Sequence, residues 1–523
     1  MLFNSFEFLF LFLPITLFSY FFIVRKYSLE YGLAVLVFAS LFFYGFWNPA
    51  YLPLILFSIV FNYYIGKRLS KVVNNKSRHQ RSKRLLSFGI CINLGLLGYF
   101  KYANFFVENI NLMLTTQWNI TNIVLPLAIS FFTFQQIAYL VDTWKGETKE
   151  YSFLHYCLFV CFFPQLIAGP IVHHKQMLPQ FLQPENLKPQ AANIAIGITI
   201  FAIGLFKKTV IADNLSLYVS PVFDSSNLTE KIDFFTAWGG ALAYTLQLYF
   251  DFSGYSEMAI GCARLFGVKL PINFFSPYKS ISIVEFWRRW HITLSRFLRD
   301  YLYIAFGGNR HGKIRRYTNL FITMVLGGLW HGAGWTFIVW GCLHGFYLIV
   351  NHAWSHLQKT LNLSIQKYKA YHLFSWLLTL LAVVVGWVYF RAPTIEQANI
   401  ILFAMIGGYG ANLPSGIHAR LGEFTHWLTA INVGTSQGGG KQLVLNAVWV
   451  IGAAIIALKA PNVVEVFSTK EKISCDTTIP FQIGHKCWYQ WDYNNRWIAQ
   501  TAMMLIFGIL TFTQTSEFLY FQF

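Results

Sequence analysis

Histidines within apolar stretches are the residues of this sequence best suited to chemistry. His331 lies in MVLGGLWHGAGWTFIVW, between Trp330 and Trp335 and among several glycines. Because an ionisable side chain is costly in an apolar environment, such a residue is a functional hypothesis by default. A neutral imidazole there can remove a proton from a hydroxyl as a general base. The alternative is a packing histidine satisfied by hydrogen bonds, since one histidine makes no catalytic triad.

A second histidine, His291, lies in VEFWRRWHITLSRFLRDY. Arginines share one face of this segment, which predicts a single amphipathic helix at the cytoplasmic surface of a membrane. Its basic face suits a phosphate-bearing donor, with His291 pointing to the interior. Snorkelling arginines at a membrane interface are the alternative. The arginines of this face are Arg288, Arg289, Arg296 and Arg299.

Other polar residues in apolar stretches favour structural roles. Asp251, in QLYFDFSGYSEMAIG, is predicted to pair with an arginine, because a carboxylate inside a membrane needs a partner. Gln135, Gln136 and Asp142 give another apolar segment a polar side. That side either lines a tunnel or holds helices together through hydrogen bonds.

The sequence does not indicate a metal site. His352 and His356 have the i, i+4 spacing of metal ligands and follow His344, but no carboxylate or cysteine accompanies them. We therefore expect these histidines at a helix-end interface. The seven cysteines form no CxxC pair, and Cys157 and Cys161 stand among Phe and Leu as small hydrophobic residues.

These residues belong to a chain with the composition of a polytopic membrane protein. Hydrophobic residues make up 55% of the 523, charged residues only 12%, and the mean hydropathy is +0.45. A soluble protein carries about twice that charged fraction. Apolar blocks of about 20 residues predict about ten to twelve transmembrane helices. The blocks are residues 2–24, 32–47, 50–66, 86–108, 123–142, 153–171, 191–212, 235–263, 317–350, 371–390, 443–459 and 498–520.

Basic residues predict the orientation of these helices. Residues 67–84 hold eight basic side chains and no acid, and residues 264–316 hold eleven against Glu285 and Asp300. Under the positive-inside rule both stretches lie in the cytoplasm. One intervening block must then fail to cross, and we expect 153–171, with FFPQLIAGP, to be re-entrant. Nucleic acid is excluded as a partner because no soluble recognition domain is present.

No internal repeat divides the chain, so we expect one integral domain over residues 1–523. The glycine-rich stretch GTSQGGG at 434–440 predicts a flexible loop. Its first five residues match the GxSxG nucleophile-elbow pattern by chance, since no strand is expected before them.

A series of multi-residue motifs runs through residues 1–350 in one order. In wording and order the motifs resemble the membrane-bound O-acyltransferase family, in particular its bacterial branch for alginate O-acetylation. Residues 360–523 match that family only in hydropathy. The resemblance implies an all-α ring of about ten to twelve transmembrane helices, with re-entrant segments, around a central tunnel. The motifs are LFNSFEFLFLFLP, SFFTFQQIAYLVD, FPQLIAGPIV, LYFDFSGYSEMAIG, INFFSPYKS, EFWRRWHITLSRFLRDYLYIAFGGNR and LGGLWHGAGWTFIVWG.

The resemblance also implies catalytic roles. The active-site histidine of the family falls on His331, which would act as the general base on an acceptor hydroxyl. The second functional histidine of this branch falls on His291, which would orient the donor or stabilise an oxyanion. An indole N–H of Trp330 or Trp335 would assist it.

Substrates and partners follow from the same resemblance. The donor would be a cytoplasmic thioester, acetyl-CoA or an acyl carrier, which Arg288 and Arg289 would contact, with no tightly bound cofactor. An extracytoplasmic partner acetyltransferase would pass the acetyl group to an alginate-like exopolysaccharide. The protein would lie in the bacterial cytoplasmic (inner) membrane.

Three alternatives remain open at this point. The first is another member of the family, which transfers D-alanine to a teichoic-acid-type polymer or an acyl group to peptidoglycan. The second is a transporter of acyl groups without chemistry, which would show broken helices in symmetry-related positions. The third is a scaffold for a polysaccharide synthase, in which His331 would be replaceable.

Overall fold

The computed structural model describes residues 1–73, 79–119, 123–148, 152–224, 232–468, 473–475, 489–512 and 519. Almost all the secondary structure in these ranges is helical, which confirms the all-α part of the predicted fold class. The α-helices are α1 Leu13–Lys26, α2 Leu29–Gly45, α3 Leu52–Val73, α4 His79–Leu97, α5 Ala103–Leu114, α6 Ile129–Trp144, α7 Phe153–Cys161, α8 Phe163–Leu166, α9 His174–Phe181, α10 Ala191–Leu205, α11 Asp213–Phe223, α12 Phe234–Leu265, α13 Ile283–Arg289, α14 Ile292–Phe297, α15 Gly312–His331, α16 Trp335–Thr360, α17 Lys369–Arg391, α18 Ile395–Met405, α19 Ser415–His418, α20 Phe424–Ala430, α21 Lys441–Lys459, α22 Val463–Val466 and α23 Asn495–Leu510. Wider π-helical turns occupy Glu7–Phe12, Gly98–Tyr102, Phe206–Ala212 and Leu298–Tyr303, and 3-10 turns occupy Pro49–Tyr51, Pro184–Leu187, Pro277–Lys279 and Ile365–Lys367.

Six helical stretches within the described ranges are long and apolar enough to cross a bilayer. This supports an integral membrane protein, while the predicted count of about ten to twelve spans stays a prediction. The ring of helices and its tunnel likewise stay predictions. The six stretches are Glu7–Lys26, Pro49–Val72, Gln80–Leu114, Ala191–Phe223, Lys369–Arg391 and Lys441–Lys459.

The block 153–171 does not form one long helix. It begins with α7, of nine residues, and breaks at Phe162 before the four residues of α8. Nine residues rise about 14 Å, less than half of a hydrocarbon core of about 30 Å. A helix of this length is too short to cross the membrane alone, and the re-entrant path of the block stays a prediction. Cys157 and Cys161 are buried in α7, which confirms their role as small hydrophobic residues.

The glycine-rich stretch predicted as a loop contains a strand, so that prediction was wrong. Strand β1, Ala411–Pro414, pairs in parallel with β2, Val433–Ser436, and Ala411 lies opposite Val433. Three residues of the GTSQG pattern therefore belong to β2 itself. The partner strand lies about twenty residues upstream, and strand formation depends on such a partner more than on local propensity.

The chain divides into two compact units. The first comprises Met1–Phe206, Gly254–Asn273 and Val463–Phe523. The second comprises Lys207–Ser253 and Phe274–Asn462. The prediction of one integral domain over residues 1–523 stays a prediction.

Polar side chains inside the first unit pair with one another across helices. Asn62 and Asn93 exchange hydrogen bonds, with N–O distances of 3.1 and 2.7 Å. Gln136 donates to the Ser58 hydroxyl at 3.2 Å, and its amide oxygen accepts a hydrogen bond from Tyr156. For Gln136, interhelical hydrogen bonding is therefore the observed role.

The other polar residues of α6 are also buried. Gln135 is 4% exposed, and the Asp142 carboxylate lies 3.6 Å from Nδ1 of His174 and 3.8 Å from Nδ1 of His173. His174 lies outside the six candidate spans, and burial lowers its pKa to about 4 although Asp142 opposes that shift.

Candidate active site

A tight helix hairpin in the second unit carries His331. The residue is the last of α15, and α16 begins four residues later, after a turn that contains Gly332 and Gly334. Gly332 has extended backbone, and a Cβ there would collide with the ring of Phe337. A Cβ on Gly341 would lie 2.6 Å from a backbone oxygen of α15, so small residues are required where the two helices meet.

Aromatic rings surround the His331 imidazole. Trp340 and Phe390 meet it edge-on, each with a centroid distance of 5.1 Å, and the neighbouring Trp330 lies at 4.9 Å. The side chain is only 5% exposed. The glycines and indoles of the sequence motif therefore build a narrow aromatic site around the histidine.

His291 lies where the chain breaks between two helices. Helix α13 ends at Arg289, Trp290 is extended, and His291 itself has a left-handed backbone with φ of 41° before α14 begins. The predicted single amphipathic helix through this segment was therefore wrong. A left-handed conformation costs about 1–2 kcal/mol for such a residue, and strained residues of this kind cluster at functional sites.

Because the helix breaks here, the His291 side chain lies in the interior of the protein. Its ring packs edge-on against Phe252 at 4.8 Å and lies 6.3 Å from Trp330. The residue is 0% exposed and lies outside the six candidate spans, and burial lowers its pKa to about 3. His291 is therefore a neutral imidazole. Trp330 contacts both His291 and His331, so the structure brings the two predicted histidines to one indole.

The two arginines and two tryptophans that were predicted to contact the substrates differ in their exposure and in their contacts. Arg289 is held in place, because its guanidinium contacts Glu285 at 2.7 Å and donates to the Phe275 carbonyl at 3.2 Å. Arg288, by contrast, is exposed. Trp330 is 5% exposed and lines the site, whereas Trp335 is 51% exposed.

Sequence reasoning missed part of the aromatic site. Trp340 takes the position beside His331 that Trp335 was expected to share. His344, considered only for metal or interface roles, is fully buried and accepts a hydrogen bond from the Trp287 indole at 3.2 Å. The available signal was a repeated spacing, since both WRRWH and WGCLH place Trp four residues before His.

The observed partner of Asp251 is a lysine, where the sequence predicted an arginine. Lys208 Nζ lies 2.7 Å from Asp251 and 2.7 Å from Asp213, and all three side chains are buried. A lysine 43 residues upstream leaves no local signal of its choice of partner. The salt bridge fixes α12 one residue before Phe252, whose ring contacts His291.

The downstream histidines contact basic side chains. His352 Nδ1 lies 3.2 Å from the Arg316 guanidinium, and His356 Nε2 lies 3.3 Å from Lys313 Nζ. These contacts join α15 and α16 near their ends, as the interface interpretation predicted. In the part of the chain that the structure describes, no group of three His, Cys, Asp or Glu side chains is arranged to hold a metal ion.

Comparison with known proteins identifies the family. Residues 146–390 match the profile of the membrane-bound O-acyltransferase family, and this range includes His291, His331 and His344. A peptidoglycan O-acetyltransferase of Helicobacter pylori is 46% identical over 441 residues, which are 79% of this chain and 81% of that protein. The chain belongs to the membrane-bound O-acyltransferase family.

Further relatives of this O-acyltransferase are named for different acceptors. A probable alginate O-acetylase of Pseudomonas aeruginosa is 43% identical over 403 residues, 76% of this chain and 73% of that protein. A teichoic acid D-alanyltransferase of Streptococcus thermophilus is 31% identical over 244 residues, 45% of this chain and 59% of that protein. The resemblance read from the motifs is confirmed, and the protein is a membrane-bound enzyme of acyl transfer.

Proposed function

We propose that this O-acyltransferase moves an acetyl group from a cytoplasmic thioester to an acceptor hydroxyl, from which the group reaches a polysaccharide. The observation that carries the proposal is the pair His331 and His291, both buried and both in contact with Trp330. His331, as general base, takes the hydroxyl proton while the hydroxyl oxygen attacks the thioester carbonyl carbon. The carbon–sulfur bond then breaks, and the leaving thiolate takes the proton from His331.

His291 stabilises the charge that develops on the carbonyl oxygen. A neutral imidazole can donate one N–H, and the Trp330 indole is a second donor close to it. Donors held rigidly in a water-poor site stabilise an oxyanion far more than donors in water do. We assign the second donor to Trp330 because Trp335 is 51% exposed.

The donor is acetyl-CoA or an acyl-carrier thioester, bound as a co-substrate and not as a resident cofactor. The excess of basic residues over 264–316 favours an anionic donor. Of the two predicted contacts, Arg288 is exposed and able to meet a phosphate, whereas Arg289 is engaged by Glu285. Arg288 therefore contacts the donor, and Arg289 holds α13.

Transfer takes place across the bacterial cytoplasmic membrane. The basic stretches lie in the cytoplasm under the positive-inside rule, so the donor arrives from that side. A ring of helices with a re-entrant block forms a tunnel through which the acceptor reaches His331 from outside. An extracytoplasmic partner acetyltransferase then delivers the acetyl group to the polysaccharide.

Two acceptors are in competition. An alginate-like exopolysaccharide is supported by the motif wording and by the 43% identity to a probable alginate O-acetylase. Peptidoglycan is supported by the 46% identity to a peptidoglycan O-acetyltransferase. Both polymers present sugar hydroxyls, so the same transfer at His331 can supply acetyl groups for either polymer.

The test is acetyl transfer by the purified protein in nanodiscs with radiolabelled acetyl-CoA. We expect the wild-type protein to release coenzyme A and the His331→Ala variant to lose that activity by about 10²–10⁴-fold. His356→Ala is the matched control, because it removes an exposed histidine of α16 and should keep full activity. Gel filtration checks folding, and a folded His331→Ala variant as active as wild type would refute the proposal.

A second experiment, in cells, identifies the acceptor polymer. Cells that lack the protein are complemented with it, and acetyl groups are counted on the exopolysaccharide and on the peptidoglycan. Acetylation of the exopolysaccharide alone supports the alginate-like acceptor, and acetylation of the peptidoglycan alone supports the second candidate.

A further inference from the structure

His344 is a buried imidazole with a defined tautomer. The side chain is 0% exposed, and its Nδ1 accepts a hydrogen bond from the Trp287 indole nitrogen at 3.2 Å. An indole N–H is a donor only, so Nδ1 must carry the lone pair. The ring proton of His344 therefore lies on Nε2.

This imidazole touches both segments that carry the candidate catalytic histidines. Trp287 lies one helical turn before His291, on α13. On the other side, the His344 ring packs against Trp340 at 4.8 Å, and Trp340 lies edge-on to His331 at 5.1 Å. One side chain thus connects the strained loop of His291 to the surroundings of His331.

A glycine of α17 packs against the remaining side of the His344 ring. A Cβ on Gly386 of α17 would lie 2.9 Å from His344 Nε2 and 3.5 Å from a carbon of the Trp340 indole. Only glycine lets α17 approach both rings so closely. Helix α17 thus packs directly against the rings of His344 and Trp340 and limits their movement.

We propose that His344 is a positioning residue for acyl transfer. By accepting the Trp287 hydrogen bond, it holds the His291 segment against the hairpin that carries His331. Small displacements of catalytic groups lower turnover strongly while substrate binding is little changed. This inference rests on the proposed function, in which His331 and His291 carry out the transfer.

Three variants isolate the hydrogen bond. Trp287→Phe removes the indole donor but keeps an aromatic ring, and His344→Leu removes the acceptor. His344→Asn keeps an oxygen acceptor close to the position of Nδ1. We expect the first two variants to lower kcat about tenfold with the KM for the donor within about twofold, and His344→Asn to recover most of the loss.

A double-mutant cycle separates this role from simple packing. Because both substitutions break the same bond, the Trp287→Phe/His344→Leu variant should be no slower than the slower single variant. Trp376→Phe is the matched control, since it also removes an indole donor, one whose hydrogen bond at 2.9 Å goes to the Tyr278 carbonyl and not to a histidine. Additive losses in the double variant, or an equal loss in the control, would overturn the proposal.

A second readout does not depend on turnover. Solid-state nitrogen NMR of the protein in lipid bilayers should show His344 with a bare Nδ1 and a protonated Nε2, and Trp287→Phe should change the Nδ1 signal. A protonated Nδ1 in the wild-type protein would contradict the hydrogen bond. If His331→Ala is inactive while Trp287→Phe keeps full kcat, the proposed function stands and only the role of His344 fails.

Discussion

Two of the clusters of buried polar side chains in this protein use those side chains differently. The amide cluster of the first unit comprises Ser58, Asn62, Asn93, Gln136 and Tyr156, whose donors and acceptors serve one another across helices. The histidine cluster of the second unit comprises His291, His331 and His344, whose rings pack against Trp and Phe rings.

This difference indicates that the amide cluster mainly stabilises the fold, whereas the histidine cluster mainly serves the reaction. An amide that is fully engaged by another amide holds two helices together and has nothing left to offer a substrate. The imidazole of His331, which lies among aromatic rings, keeps the proton chemistry that a general base needs. Substitutions in the amide cluster should therefore change the free energy of unfolding first, and those in the histidine cluster should change activity first.

The largest expected effect is on activity and comes from His331→Phe. Phenylalanine keeps a ring in the aromatic site but cannot accept a proton, so acetyl transfer should fall by about 10²–10⁴-fold. The free energy of unfolding in detergent, measured by SDS titration, should stay close to that of wild type. A variant that unfolds readily would place His331 with the structural residues and break the comparison.

The second effect is on stability and comes from Lys208→Met. The substitution leaves the carboxylates of Asp251 and Asp213 buried without their lysine, which costs about 3–5 kcal/mol of unfolding free energy. Lys207→Met is the matched control, because Lys207 is the adjacent lysine and its side chain is only half-buried. Equal stability of both variants would show that the buried salt bridge does not hold this part of the second unit.

The largely helical fold could be predicted from the sequence, because apolar blocks are a local signal. The two catalytic candidates came from the motifs that resemble the family, and their roles stay a prediction. The partner of Asp251 could not be predicted, since Lys208 lies far along the chain. The break at His291 also escaped prediction, because its arginines follow a helical pattern and the left-handed residue is imposed by tertiary packing.

Trp340 and His344 were missed for a related reason. Their motif reads as an ordinary apolar helix, and only the packing of α15, α13 and α17 around it shows what the rings touch. The pairing of strands β1 and β2, which lie about twenty residues apart in the sequence, was not predicted for the same reason. Local patterns predict which polar residues are unfavourable to bury. Tertiary contacts decide which partners compensate for that burial.

A smaller effect distinguishes the backbone of His291 from its side chain. Asparagine tolerates the left-handed region and alanine does not, so His291→Ala should be less stable than His291→Asn by about 1 kcal/mol. Both variants should lose acetyl transfer to a similar extent, because both lack the imidazole. If the two variants unfold at the same SDS fraction, the φ of 41° does not persist in the substituted chain.

The smallest effect tests the amide cluster through its most symmetrical pair. Asn62→Leu leaves the Asn93 amide buried without its partner and should cost about 1 kcal/mol of unfolding free energy. Replacing both residues by leucine removes the unsatisfied group, so the double variant should be more stable than the single one. Acetyl transfer per folded molecule should equal that of wild type in both variants. A loss of turnover in the stable double variant would show that the amide cluster also takes part in the chemistry, and the division between the two clusters would then be false.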